Sequence, residues 1–322
     1  ESGYGRILHH ADGSISGIVE EKDASSAEKS IREINTGFIA APAVKLRRWI
    51  DALDNNNSQG EYYLTDVIAR AVADGVSVRG LSADSIEEVL GINDRMQLAA
   101  QERCFQYQRA VECMREGITL IDPARFDLRG KLQAGEDVII DINAVLEGNV
   151  CLGNRALIGP NVVLSNVTIG DDVTILANCV IEDAEIGNAV RIGPFARIRP
   201  ETRLADNTHV GNFVEIKKSD IGKGSKVNHL SYIGDTTVGI NVNIGAGSIT
   251  CNYDGANKHR TVIGDNAFIG SDSQLVAPVK VGAGATIGAG STITRDTPDD
   301  ELTLSRCEQK TLSGWQRPVK KK

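Results

Sequence analysis

The stretch Ile181-Glu182-Asp183-Ala184-Glu185-Ile186-Gly187-Asn188-Ala189-Val190-Arg191-Ile192-Gly193-Pro194-Phe195-Ala196-Arg197-Ile198 sets isoleucine at 181, 186, 192 and 198. Working outward, the series reads Ile140, Leu146, Leu152, Ile158, Leu164, Ile169 and Ile175 before it, and Leu204, Val210, Ile216, Ile221, Val227, Ile233, Val238 and Ile244 after it. It resumes at Ile263, Ile269, Leu275, Val281, Ile287 and Ile293. A period of six matches neither the 3.6 of a helix nor the 2.0 of a strand. It is the signature of a hexapeptide β-helix, in which each hexad is a short strand plus a corner, and one aliphatic per hexad fills a triangular prism. Leu164 to Ile169, Ile181 to Ile186, Ile216 to Ile221 and Ile233 to Val238 are steps of five. Such skips fit coils of 17 or 18 residues with one corner sometimes short by a residue. At the usual inter-strand spacing, roughly ten coils make a rod on the order of 50 Å long.

The 322 residues carry 41% hydrophobic side chains but only 4% aromatics. Such a composition suits a narrow prism filled by Ile, Leu and Val. A net charge of −8 argues against a nucleic-acid partner. No membrane-length apolar run and no secretory signal is present, and six cysteines without a close-spaced metal pattern read as free thiols of a reducing cytoplasm. The opening Glu1-Ser2-Gly3-Tyr4-Gly5 reads as the inside of a domain, so a fragment is expected.

Ahead of the prism the texture is mixed α/β. Gly5–Leu8 and Ile15–Glu20 read as strands paired around Asp12-Gly13, and Glu33–Ala40 as a buried strand. Val44–Leu53 and Leu64–Asp74 read as helices. Asn93–Glu116 reads as a longer helix stopped by Gly117, an arm between two domains, with 117–139 leading into the coils. The expected divisions are 1–93, 94–117, 118–300 and a tail 301–322, whose basic end reads as a solvated terminus.

Between Ile244 and Ile263 the period fails, at Cys251-Asn252-Tyr253-Asp254-Gly255-Ala256-Asn257-Lys258-His259-Arg260. A solenoid admits an insertion by ejecting it from a corner, and ejected loops often form the binding face. Polar residues that suit a site surround it: Arg199, Lys217, Lys218, His229, Tyr232, Asn243 and Lys258. Arg199 and Lys217 stand one coil apart and should stack. His229 and Asn243 should not, and a neighbouring subunit would bring them to one site.

The runs Gly193–Pro200, His209–Lys218, His229–Asp235, Asn243–Gly247 and Cys251–Gly255, with Glu33-Ile34-Asn35-Thr36-Gly37, Gly60-Glu61-Tyr62-Tyr63 and the closing Arg317–Lys322, are very similar to one family. This is the bacterial bifunctional N-acetylglucosamine-1-phosphate uridyltransferase / glucosamine-1-phosphate acetyltransferases, and the resemblance spans essentially the whole chain. It implies a mainly β fold: a left-handed parallel β-helix after a helical arm and an α/β remnant of a nucleotidyltransferase domain. It also implies a cytoplasmic homotrimer with active sites between subunits, without nucleic-acid or membrane partners. The product would feed UDP-N-acetylglucosamine synthesis for peptidoglycan and lipopolysaccharide. His229 matches the general base. Arg199, Lys217, Tyr232, Asn243 and Lys258 match residues that hold glucosamine 1-phosphate, with Lys258 placed to reach a neighbouring chain's substrate. Ala246, Asn252, Tyr253, Ser271, Ala289 and Arg306 match contacts to acetyl-CoA. The implied reaction is direct acetyl transfer, with no acylated cysteine and no role for Cys251.

In the first domain the resemblance departs. The glycine-rich phosphate loop and the aspartate that helps hold Mg²⁺ do not occur, while Gly5, Glu20, Asn35 and Asn93 match UDP-N-acetylglucosamine contacts, Asn93 also a Mg²⁺ ligand. Acetyl transfer without uridylyl transfer is therefore expected of this chain. Three other readings stay open on the residues: another hexapeptide acyltransferase; a zinc carbonic anhydrase using His209, His229 and His259; and a nucleotidyltransferase whose β-helix only mediates assembly.

Overall fold

The hexad aliphatics form three continuous columns inside a left-handed parallel β-helix of about ten turns. The computed structural model describes residues 3–318 and 320; Glu1, Ser2 and, from the basic end, Val319, Lys321 and Lys322 lie outside the described residues. One column runs Ile140, Ile158, Ile175, Ile192, Val210, Val227, Ile244, Ile269, Ile287 in parallel register. The second runs Leu128, Leu146, Leu164, Ile181, Ile198, Ile216, Ile233. The third runs Leu152, Ile169, Ile186, Leu204, Ile221, Val238, Ile263, Val281. All belong to one buried cluster. One inward side chain per hexad suffices because each stacks on its equivalents above and below, excluding water along the axis.

The second column corrects the reading of a failed period. Thr250 takes the next place above Ile233 and pairs with Leu275, 1% exposed. Its hydroxyl accepts the Gly234 N–H at 2.8 Å, so a polar residue fills an aliphatic slot without leaving its oxygen unpaired. The period holds through Thr250, and the ejected loop follows Cys251. The segment 117–139 is likewise more than a lead-in. Thr119–Leu120 pairs with Ile139–Ile140 and Phe126–Ala134 with Ala144–Leu152, so it is itself the first coil.

Most corners turn through a residue with positive φ, usually Asn, Asp or Gly, whose cost in the left-handed region is lowest. One corner breaks that rule on three successive coils, with Phe195, Phe213 and Leu230 at φ 56, 55 and 51. The two phenyl rings stack with centroids 5.2 Å apart.

The chain divides into two compact units between Glu102 and Arg103, within the helix Arg95–Arg115. That helix starts at Asp94, whose carboxylate accepts the Gln97 N–H at 2.8 Å. It stops at Gly117, φ 100, with Gly117 N–H bonded to Met114 and Ile118 N–H to Cys113, as its glycine predicts. In the second unit, Gln106 bonds both the N–H and the C=O of Leu128, satisfying the open edge of the first coil. Ala110 and Cys113 extend the prism core.

In the first unit Arg6–His9 and Ile15–Val19 pair antiparallel, and helices Ala43–Asp51 and Asp66–Ala73 enclose Trp49, Val67 and Ala71. Glu33–Ala40 is not the buried strand expected. Only Ile34 bridges to Arg6, Phe38 is 81% exposed, and Asn35 bonds the N–H of Gly37, φ 84, in a local turn that ends any ladder.

Candidate active site

His229 ends the strand Lys226–His229, at the corner between two prism faces. Its carbonyl accepts the Ser231 hydroxyl at 2.8 Å and the Gly247 N–H at 3.2 Å. Its ring Nδ1 lies 2.7 Å from Oδ1 of Asn212, its register partner one coil earlier. Asn212 stands inside a quoted motif, yet only the 17-residue separation distinguishes it, and the sequence reading gave it no role.

Above His229 the register builds a column of small residues. Val227 pairs with Ile244, which sets His229 beside Ala246. Asp272 N–H then bonds Ala246 C=O at 2.7 Å and Gly290 N–H bonds Ser271 C=O at 2.8 Å, so Ser271 and Ala289 follow in line. Arg306 closes the upper end, its Nη1 donating to Ala289 C=O at 2.8 Å. Three residues that read singly as plain coil positions thus form one continuous column leading to His229.

The outer face on the other side of the corner is polar. Ile198 pairs with Ile216, so Arg199 and Lys217 stack as their spacing predicts. Arg199 Nη1 is 2.7 Å from Glu215 Oε1, and Glu215 is the register partner of Tyr232. Lys217 Nζ lies 3.9 Å from Asp235. Asn252 donates to the same Asp235 carboxylate at 2.5 Å and approaches the Tyr232 hydroxyl at 3.5 Å. Asn252, matched to acetyl-CoA by resemblance, therefore stands among the residues matched to sugar phosphate. Asn243 does not join them; it lies on the preceding face, between Lys226 and Phe268 in register.

The ejected loop folds back over this face. Lys258 comes beside Lys217 of its own chain, and that neighbouring ammonium lowers its pKa. Lys217 and Lys258 line a cleft of about 370 Å³ with Asp235, His259 and Arg260. Lys218 at the cleft's edge is an exposed corner residue, φ 48, held to Glu201 at 3.2 Å, and Arg260 is held to Asp220 at 2.9 Å. Among the described residues no ion pair within 4 Å holds Lys258, so it and the loosely paired Lys217 remain for an anion. The loop is fixed by Asp254, which accepts from Ala256 and Asn257 N–H at 2.8 and 2.6 Å and meets His259 Nε2 at 2.6 Å. These contacts, led by the Asn257 amide, hold the Asp254 carboxyl well below the usual carboxylate range. Tyr253 is exposed, its hydroxyl donating to Gly255 C=O. Burial pushes the Cys251 thiol up, away from the thiolate that a nucleophile requires.

In the first unit, Asn35 N–H bonds Gly5 C=O at 2.8 Å, and a Cβ on Gly5 would lie 3.5 Å from the Glu20 carboxylate, so these three residues come together. Gly91, two residues before Asn93, donates its N–H to the Tyr4 hydroxyl at 2.6 Å. Asn93 is exposed, and among the described residues no group of three or more His, Cys, Asp or Glu is placed to hold a metal. A lone amide does not match the carboxylate donors that Mg²⁺ takes, so the residues present do not fit a resident Mg²⁺.

Comparison with known proteins decides the family. The bifunctional protein GlmU of Methylococcus capsulatus is 59% identical over 320 residues, 99% of this chain and 69% of that protein. The bifunctional protein GlmU of Alkalilimnicola ehrlichii is 58% identical over 317 residues, 98% of this chain and 68% of that protein. The chain belongs to the bifunctional GlmU family. The profile described as bacterial transferase hexapeptide (six repeats) matches residues 260–295, and that of the GMPPB C-terminal domain residues 128–206. Among solved structures, the UDP-N-acetylglucosamine acyltransferase of Francisella novicida is similar with a TM-score of 0.43 at 18% identity, covering 58% of this chain and 67% of that one.

Proposed function

We propose that this chain transfers the acetyl group of acetyl-CoA to the amine of glucosamine 1-phosphate, giving N-acetylglucosamine 1-phosphate. The observation that carries the reading is the column of small residues Ala246, Ser271 and Ala289 ending at His229, with the Lys217–Lys258 cleft around the same corner. Small side chains leave room for an extended pantetheine arm, and Arg306 at the far end supplies a cation for a CoA phosphate. Lys217, Lys258 and Arg199 supply charge for the sugar phosphate, and Tyr232 and Asn243 supply hydrogen bonds for the sugar. Asn252 and Tyr253 serve the boundary between the two substrates.

The chemistry is direct displacement. The neutral amine attacks the thioester carbonyl, a C–N bond forms, and His229 Nε2 takes the proton that the nitrogen sheds. Collapse of the tetrahedral intermediate breaks the C–S bond, and the thiolate of CoA leaves, to be protonated by the imidazolium. No protein side chain is acylated, in keeping with the raised Cys251 thiol.

Because Asn243 stands on a different face from Tyr232, the complete sugar site draws on a second copy, and we infer a cytoplasmic homotrimer. No helix among the described residues is long and apolar enough to cross a membrane. Gly5, Glu20 and Asn35 support a nucleotide-sugar contact in the first unit, related to uridylyl transfer in the family the sequence resembles. The deciding experiment follows release of the CoA thiol with glucosamine 1-phosphate as acceptor. Turnover with the phosphate and little with glucosamine supports the reading, and equal rates with both overturn it.

A further inference from the structure

We propose that Asn212 is the positioning residue that fixes the proton of His229 on Nδ1 and so frees Nε2 to act as the base. This rests on the acetyl-transfer reading above and assigns a role to a residue outside the substrate contacts.

The argument starts from valence. An amide oxygen accepts hydrogen bonds and cannot donate them. Oδ1 of Asn212 lies 2.7 Å from Nδ1 of His229, so the proton between them belongs to the imidazole. A neutral imidazole carries one N–H, and its other nitrogen then holds a lone pair. Among the described residues no protein group bonds Nε2. The contact therefore leaves the outer nitrogen as the free acceptor, whereas a neutral histidine side chain in water favours the opposite tautomer, with the proton on Nε2. Without Asn212, much of the population would present an N–H donor where the amine must lose a proton.

The fold holds this pair with little freedom. Asn212 and His229 are register partners of adjacent parallel strands, His209–Asn212 and Lys226–His229. The Asn212 carbonyl also accepts the Leu230 N–H at 3.1 Å, so both ends of Asn212 grip the residues of the same corner. Gly211 packs so closely that a Cβ there would lie 1.9 Å from the Asn228 carbonyl oxygen. No side chain fits at Gly211 beside the pair, and the two bonds to the His229 carbonyl fix the backbone from which the ring projects. Glu215, the nearby acid on the same coil as Asn212, is occupied by Arg199 at 2.7 Å.

The test is nitrogen NMR on protein carrying ¹⁵N-labelled histidine, at a pH where the imidazole is neutral, together with steady-state kinetics. The wild type should show protonated Nδ1 for His229. Asn212→Leu, similar in size and without an acceptor, should move the proton toward Nε2 and lower kcat by about tenfold, the worth of one neutral hydrogen bond, with KM for both substrates unchanged. Asn212→Asp, which keeps the acceptor, should retain the Nδ1–H tautomer and recover most of kcat. An unchanged tautomer or an unchanged kcat in folded Asn212→Leu overturns the proposal. So does an Asn212→Asp variant that melts like the wild type yet has lost the Nδ1–H signal. The tautomer is read without substrate, so a wild type that holds Nδ1–H but does not acetylate glucosamine 1-phosphate counts against the acetyl-transfer reading alone.

Discussion

Lys258, on the ejected loop, faces Lys217 across the cleft although the two lie far apart in sequence, and the like charge lowers the pKa of Lys258. A lowered ammonium binds its proton less tightly folded than unfolded. Its repulsion is fully present while both lysines are protonated, and stability is regained as pH rises into the lowered range of Lys258. Lys258→Met should therefore slightly raise the melting temperature of the ligand-free protein at neutral pH. The same variant should lose most of the thermal shift that glucosamine 1-phosphate gives the wild type. A ligand shift of full size would separate Lys258 from the phosphate.

His229→Ala should leave the coils intact, because the ring is exposed and its carbonyl makes the structural bonds. Acetyl transfer should fall by about 10²–10⁴-fold, the usual worth of a general base. Acetyl-CoA affinity, measured by calorimetry, should stay near the wild-type value.

Lys217→Ala and Arg199→Ala should weaken glucosamine 1-phosphate more than acetyl-CoA. A charge-assisted hydrogen bond to phosphate is worth roughly 1.5–3 kcal/mol, or about 10- to 150-fold in affinity. Competition between glucosamine 1-phosphate and glucosamine reads this directly. A preference for the phosphate that survives both substitutions would remove the cleft from the phosphate's binding.

Asp254→Ala should release the loop. Its carboxyl is held low by the Asn257 amide first, then by His259 and the Ala256 amide, so its contribution is present above the ordinary carboxylate range and is lost only as pH falls well below it. Protection of the Ala256 and Asn257 amides against exchange should persist in the wild type as pH falls through the ordinary carboxylate range. In the variant exchange should be fast at every pH, with a raised KM for glucosamine 1-phosphate.

Ile216→Ala, at a fully buried site in mid-prism, should cost about 2–5 kcal/mol in denaturant unfolding. The neighbouring Ile198 and Ile233 are held by their own ladders and cannot close the void.

The period made the prism readable because every coil repeats one demand: an aliphatic where three faces converge. It also located Arg199 over Lys217. It failed at Thr250, where a hydroxyl bonded to Gly234 satisfies the same slot by different chemistry. The strand expected at Glu33–Ala40 failed because an Asn35–Gly37 turn outcompetes apolar patterning. Of the site, the residues matched by resemblance were legible as types, but their grouping was not. Lys258 meets Lys217 only because the loop doubles back through Asp254, a tertiary contact that no spacing encodes. Asn212 and Asp235 were within reach of the spacing itself, each 17 residues before the partner it serves, His229 and Asn252.

Ala246 and Ser271 are neighbours in the column, yet the whole ejected loop lies between them in the chain. Height along the prism is counted in coils, and the loop adds residues without adding a coil. Its length is therefore free to vary while the two floors stay in contact. A lengthened or shortened loop would reshape the cleft that Lys258 lines and leave the column from Ala246 to Ala289 where it was. The cleft and the column are, in this architecture, separately editable.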